Sequence, residues 1–243
     1  QQHLLSRDHG EGQLARACLD LGLTAESREH VLRALRLKGR PMPEGAVRLG
    51  LAYSRQLGLQ ASRRLAPRLT IGRGRGDPAE LRRLAVAYDV LGQVCYYAQD
   101  TAGGVFAALR ALNLAEGAGS SPELARSYAT MCVASSLVPA HRLAEIYGRR
   151  ARLAADAIGD PATDAWVSEL TGIYWLGVGR WEASRRALVR AVEVNERLGD
   201  WRLNEAVQRL REPPVSARLP VALVADPQRL GEVERLAFDD ELM

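Results

Sequence analysis

Lysine is almost missing from this chain: of 33 basic residues only Lys38 is lysine, and the other 32 are arginine. Codon bias in a GC-rich genome accounts for this better than a nucleic-acid function, because the basic excess is local. Residues 1–40 carry 7 basic and 5 acidic side chains, residues 41–80 carry 7 and 3, and residues 81–243 carry 19 and 21. A protein that follows phosphates spreads its arginines along a whole face, so no nucleic-acid partner is expected. Cysteine is scarce too. Cys18, Cys95 and Cys132 are an odd number without CxxC spacing, which argues against a disulfide framework and for small residues of a reducing compartment. Aromatics are 5% of the chain and Phe occurs twice, so the core must be built from Leu, Val and Ala. No apolar run reaches the roughly 18 residues of a membrane span, and no signal peptide opens the chain. The expected location is cytoplasmic. The first residue is Gln1, which gives the expectation of a fragment or processed product of a longer protein.

Several chemistries are absent. There is no GxxxxGK[ST], GxSxG or HExxH. The run Gly72-Arg73-Gly74-Arg75-Gly76 resembles a phosphate loop, but Asp77 stands where the third glycine of a dinucleotide fingerprint belongs. Arg75-Gly76-Asp77 is also an adhesion tripeptide, which linker composition explains better. His3, His9, His30 and His141 lack metal-ligand spacing. Asp156, Asp160 and Asp164 form a row of carboxylates, yet Asp160 reads as a helix cap. The sequence thus predicts no catalytic residue, no metal site and no cofactor, and the chain is not expected to be an enzyme.

What is present is helix and repetition. Ala occurs 37 times among 243 residues and favours helices. Ala85, Ala125 and Ala165 are forty residues apart, as are Arg110, Arg150 and Arg190, then Ala111, Ala151 and Ala191. Glu116, Asp156 and Glu196 keep the interval, and Gly119, Gly159 and Gly199 close each unit. The pairs Asp77-Pro78, Ser121-Pro122 and Asp160-Pro161 read as caps opening the first helix of a unit, and Asp77 with Glu80 fits a capping box. Small residues occupy three positions per unit. These are Ala15, Gly92, Cys132 and Gly172, then Ser27, Gly104, Ala144 and Ser184, then Ala34, Ala111, Ala151 and Ala191. That is the tetratricopeptide pattern, where small residues let paired helices approach closely. The expected fold is all-α, a tetratricopeptide-like α-solenoid of antiparallel helix pairs with a period of about 40 residues. Residues 1–40 hold a first helix pair, 41–76 a basic spacer helix or linker, 77–212 three repeats plus a closing helix, and 213–243 an irregular tail.

Residues 45–75 carry seven arginines and no acid. They read as a spacer helix with solvated arginines, in preference to a helix docking on a membrane surface or an acidic partner. The inner groove of the array is the remaining functional surface. The repeat register places Asp89, Gln93, Tyr96, Arg126, Val133, Ser136, Trp166, Glu169 and Ile173 on it, with Tyr96 and Trp166 as anchors.

Specific strings carry a family resemblance. Tyr96-Tyr97-Ala98-Gln99-Asp100-Thr101, Ala107 to Glu116, Ser121 to Tyr128 and Gly177-Val178-Gly179-Arg180-Trp181 resemble the C-terminal repeats of large bacterial signalling ATPases fused to nucleotide cyclase or protein kinase domains. The Lys38-Gly39-Arg40-Pro41-Met42-Pro43 break is similar as well. The resemblance covers residues 10–210 and implies a protein-interaction or regulatory arm that binds a protein, a peptide or other domains of its parent. It brings no catalytic residue into this chain. The alternative expectation is the repeat region of a bacterial transcription regulator whose DNA-binding domain lies outside the chain.

Overall fold

A computed structural model describes residues 2–66, 70–137 and 140–198. Among these residues nine long helices occur and no strand. They are α1 (Gln2–Asp20), α2 (Thr24–Leu37), α3 (Ala46–Leu65), α4 (Pro78–Tyr97), α5 (Thr101–Ala118), α6 (Pro122–Ser136), α7 (His141–Ile158), α8 (Pro161–Gly177) and α9 (Trp181–Leu198). The closing helix expected at Trp201–Leu210 and the tail from 213 lie outside the described residues.

The helix starts follow from side-chain caps. Asp77 accepts from the backbone N–H groups of Ala79 and Glu80 at 3.2 and 3.3 Å. Ser121 accepts from Leu124 at 3.3 Å and Asp160 from Thr163 at 2.9 Å. Each satisfies N–H groups that the first helical turn leaves free. The capping box at Asp77 is only half made, because the Glu80 carboxylate turns to Lys38 at 3.8 Å. At the helix ends, Gly159 takes the left-handed conformation, whereas Gly119 has φ 94° with an extended ψ of −163°.

Consecutive helices form hairpins: α1 with α2, α4 with α5, α6 with α7, α8 with α9. The turns between partners are short, which sets partners antiparallel. The pairs then touch in chain order, α1 and α2 on α4, α4 and α5 on α6, α6 and α7 on α8. The helices α5, α7 and α9 begin at Thr101, His141 and Trp181 and each has 18 residues. One apolar core runs from Ala15 to Tyr174, and Leu188 and Val192 of α9 make a second, smaller cluster.

Small residues sit where paired helices cross. The Ser27 hydroxyl donates to the carbonyl of Ala15 at 2.7 Å, and Ser184 does the same to Gly172 at 2.9 Å. A Cβ on Gly172 would come within 2.8 Å of Leu188 Cδ2. Ala34, Ala111, Ala151 and Ala191 are all buried. Cys95 and Cys132 are buried among these contacts while Cys18 is half-buried. Burial pushes the thiol pKa of Cys95 up to about 11 and of Cys132 up to about 12, which suits packing and not nucleophilic chemistry.

The basic segment departs from the sequence reading. Its residues Ala46–Leu65 form one helix, α3, despite Gly50 and Gly58, and α3 packs on α5. Its arginines are not uniformly solvated. Arg63 is 6% exposed and its Nη1 lies 3.2 Å from Oε2 of Glu116, which is fully buried. The fully buried residues of α3 are polar, Gln56, Gln60 and Arg63, spaced four and three residues apart, while Leu49, Ala52 and Tyr53 of its first half pack partly buried against the core. Its large apolar side chains Val47, Leu51, Leu57 and Leu65 are exposed instead. The cause is a hydrogen-bond network laid down by α5. Gln60 Nε2 donates to Asn113 Oδ1 and to Glu116 Oε2, both at 2.7 Å. Asn113 Nδ2 donates to Gln56 Oε1 at 2.9 Å. Tyr128 completes the shell with a hydroxyl donated to Glu116 Oε1 at 2.9 Å. Within this network the Gln56, Gln60, Asn113 and Glu116 side chains all meet partners, the condition for burial at modest cost, while Arg63 Nε is buried without one. The Arg64 guanidinium stacks 4.7 Å above the Tyr147 ring.

The glycine run at 72–76 also has a structural role. Gly72 N–H donates to the carbonyl of Glu116 at 2.8 Å and Gly74 N–H to Gly117 at 2.9 Å. A Cβ on Gly74 would fall 2.9 Å from Gly117 Cα. The loop clasps the end of α5 backbone to backbone, an approach only glycine permits.

Candidate functional site

The groove register brings most of its residues into one cleft of about 780 Å³, lined by α1, α4, α6 and α8, the start of α5 and Leu198 at the end of α9. Gln93, Tyr96, Val133, Trp166, Glu169 and Ile173 line it. Tyr96 is 62% exposed and meets Tyr97 edge to face, with ring centroids 5.6 Å apart. Trp166 is half-buried, and its indole Nε1–H has no hydrogen-bond partner. Arg126 stands beside the cleft with its guanidinium 5.9 Å from the Trp166 ring, an electrostatic contact with the π-face.

The other two predicted residues do structural work. Asp89 ties α4 to α6, its Oδ1 accepting from Thr130 at 3.1 Å and its Oδ2 from Gln93 at 2.9 Å. Burial raises its carboxyl above the ordinary value, opposed by the Thr130 hydrogen bond and by the charges of Arg16 and Arg126. Ser136 donates to the carbonyl of Val133 at 2.6 Å, one turn back in α6, and does not line the cleft.

Sequence reasoning missed the contribution of α1. Arg16, Leu19 and Asp20 line the cleft, and Arg16 holds Asp20 at 3.2 Å. The signal was available, since the register that equates Ala15 with Gly92 also equates Arg16 with Gln93 and Leu19 with Tyr96. Tyr97, Leu137 and Leu170 were missed as well. They extend the apolar wall, with Tyr97 63% and Leu137 52% exposed. The cleft carries aromatic and aliphatic surface together with the charged side chains of Arg16, Asp20, Asp100 and Glu169.

The carboxylate row is fully accounted for. Asp164 is held by Arg152 and by Arg190, the latter at 2.8 Å. Asp160 caps α8, and Asp156 is exposed. His30 Nδ1 pairs with Glu11 Oε2 at 2.7 Å, and this hydrogen bond holds the Glu11 carboxyl below its usual value. Among the described residues no group of three or more His, Cys, Asp or Glu side chains is placed to hold a metal ion, and no helix is long and apolar enough to cross a membrane.

No protein-family model, curated protein or solved structure matches the chain.

Proposed function

We propose that this chain is a tetratricopeptide-like repeat module that binds a protein or peptide in the cleft lined by α1, α4, α6 and α8. The observation that carries the reading is the cleft itself, with three aromatic side chains, Tyr96, Tyr97 and Trp166, on its wall. Aromatic residues held on rigid helices make good anchors for a partner. The forty-residue spacing of α5, α7 and α9 and the serine contacts shared by the first and fourth pairs support the repeat assignment and its α-solenoid form. Under this reading the chain is a non-catalytic, cytoplasmic arm of a multidomain signalling ATPase, working through a partner or through other domains of its parent. The resemblance of the Tyr96–Thr101, Ala107–Glu116, Ser121–Tyr128 and Gly177–Trp181 strings to those of cyclase- and kinase-linked ATPases favours that assignment over a transcription regulator.

Selection from a displayed random-peptide library tests the binding role. Enriched peptides should bind the chain with a fluorescence change at Trp166, and Tyr96→Ala and Trp166→Ala should each weaken them about tenfold or more. Failure to enrich any peptide, or peptides that bind both variants as well as the parent, would refute it.

A further inference from the structure

Helix α3 turns an ordered face to solvent. Its inward side is fixed by Gln56 and Gln60 on Asn113, by Arg63 on Glu116 and by Tyr53 on Phe106. The opposite side carries Val47, Leu51, Ser54, Gly58, Ala61 and Leu65, spaced four, three, four, three and four residues apart. That spacing keeps side chains on one stripe along the whole helix, the heptad seam of a helix that packs lengthwise on another. All six are exposed, Val47 by 77%, Leu51 by 69% and Leu65 by 87%. A single exposed leucine is ordinary; a row in heptad register marks an interaction face.

The middle of the seam is shaped for close approach. Gly58 sits mid-helix, where glycine weakens a helix, and a Cβ there would meet nothing within 4 Å. Among the described residues nothing needs this glycine. A second helix crossing at Gly58 does need it, because the side chains at the contact set how near two helix axes come. Ser54 and Ala61, its neighbours in the seam, are small as well. The Ser54 hydroxyl donates to the carbonyl of Gly50 at 3.0 Å, so it brings no unsatisfied donor into a contact. A helix that lies on lipid presents a broad face of bulky side chains, whereas this stripe is narrow and hollow at its centre.

Charge selects the partner. Arg48 and Arg55, one heptad apart, flank the seam and are exposed, and residues 45–75 hold no acid. The charges beside a heptad seam decide which helix pairs with it. The α3 helix of a second copy would bring no carboxylate to meet these arginines. We propose that the outer face of α3 docks an acidic amphipathic helix of a partner protein. The apolar side chains of that helix fill the seam over Ser54, Gly58 and Ala61, and its carboxylates meet Arg48 and Arg55. None of these residues lines the cleft, so the face stands or falls separately from the peptide reading.

The test titrates the whole chain into a fluorescent synthetic peptide of about three heptads, with Leu at the seam positions and Glu beside them, whose like charges oppose self-pairing. A twin peptide carries Lys in place of Glu. Saturable binding of the Glu peptide is expected, with the Lys peptide weaker by about tenfold or more. R48E/R55E and, separately, Gly58→Leu should each keep the parent's circular dichroism, since these sites are exposed, and weaken binding about tenfold or more. R186Q, an exposed arginine of α9, should change nothing. No saturable binding of the Glu peptide, equal binding of the two peptides, or binding that either α3 variant leaves intact would overturn the proposal. Loss of binding in Trp166→Ala would place the peptide in the cleft and overturn it as well. So would dimerisation of the chain alone that Gly58→Leu abolishes, which assigns the face to a second copy. Binding to phosphatidylserine vesicles that R48E/R55E abolishes, without binding of the Glu peptide, would assign the face to lipid instead.

Discussion

Helices α5 and α7 occupy the same place in successive helix pairs and have the same length, yet they live in different surroundings. Twelve residues of α5 are buried against four of α7, and six of α9. The difference is written in their side chains. Between Thr101 and Ala118 only Arg110 and Glu116 are charged, whereas α7 carries Arg142, Glu145, Arg149, Arg150, Arg152 and Asp156. A helix that is apolar all round is one covered on all sides. On one side α5 meets α4 and α6; on another it is covered by α3 and clasped by the Gly72–Gly74 backbone. The forty-residue column Glu116, Asp156, Glu196 makes the lesson concrete. Glu116 is fully buried while Asp156 and Glu196 are exposed. Position along the helix fixes where a side chain sits; the neighbour packed on that helix fixes whether the place is wet or dry.

The largest expected effect sets Glu116 against Glu196. Glu116→Ala leaves Arg63 buried without its carboxylate and removes the acceptor of Gln60 and Tyr128. It should cost about 3–5 kcal/mol in urea unfolding, while Glu196→Ala should stay within about 0.5 kcal/mol. Equal costs would erase the contrast between the two helices. Next comes the clasp. Gly74→Ala forces a methyl to within 2.9 Å of Gly117 Cα and 2.7 Å of Leu81 Cδ1, and should cost about 1–3 kcal/mol. A variant of parental stability would mean that the loop does not hold α5.

A smaller effect probes the start of α8. Asp160→Ala removes the cap of α8 and should cost about 1 kcal/mol near neutral pH. The Asp160 carboxyl lies below its ordinary value, chiefly through the Thr163 hydroxyl. A lowered folded pKa means a contribution present above the unfolded value near 3.8 and lost as pH falls through the folded one. The gap between parent and variant should therefore close in acid, and a gap constant from pH 7 to pH 2 would contradict the cap. The smallest effect has the opposite sign. A Cβ on Gly50, inside α3, would meet nothing within 4 Å, so Gly50→Ala should stabilise by about 0.5–1 kcal/mol in the same assay. A loss would show that α3 is not a continuous helix there.

The helices were legible because their signals are local. Proline after Asp77, Ser121 and Asp160 marked starts that the structure places at Pro78, Pro122 and Pro161. Six of the nine residues placed on the groove line one cleft because they recur on the same side of α4, α6 and α8. The fate of the second half of α3 was not legible, since its fully buried residues are Gln56, Gln60 and Arg63 while Leu57 and Leu65 are exposed. Apolar periodicity points the wrong face inward when the partner helix supplies a buried carboxylate and amide. The hint lay in α5 itself, too apolar for a helix with one open side.

The most direct test of this account is a double-mutant cycle on the pair that fastens α3 to α5. Arg63→Met, Glu116→Leu and the double variant are compared with the parent by urea unfolding. Each single change strands one buried charge, whereas the double removes both. The predicted result is two costly single variants and a double variant well above their sum in stability, with a coupling of about 2 kcal/mol or more. Additivity within about 0.5 kcal/mol would contradict the account, because it would mean that Arg63 and Glu116 do not meet.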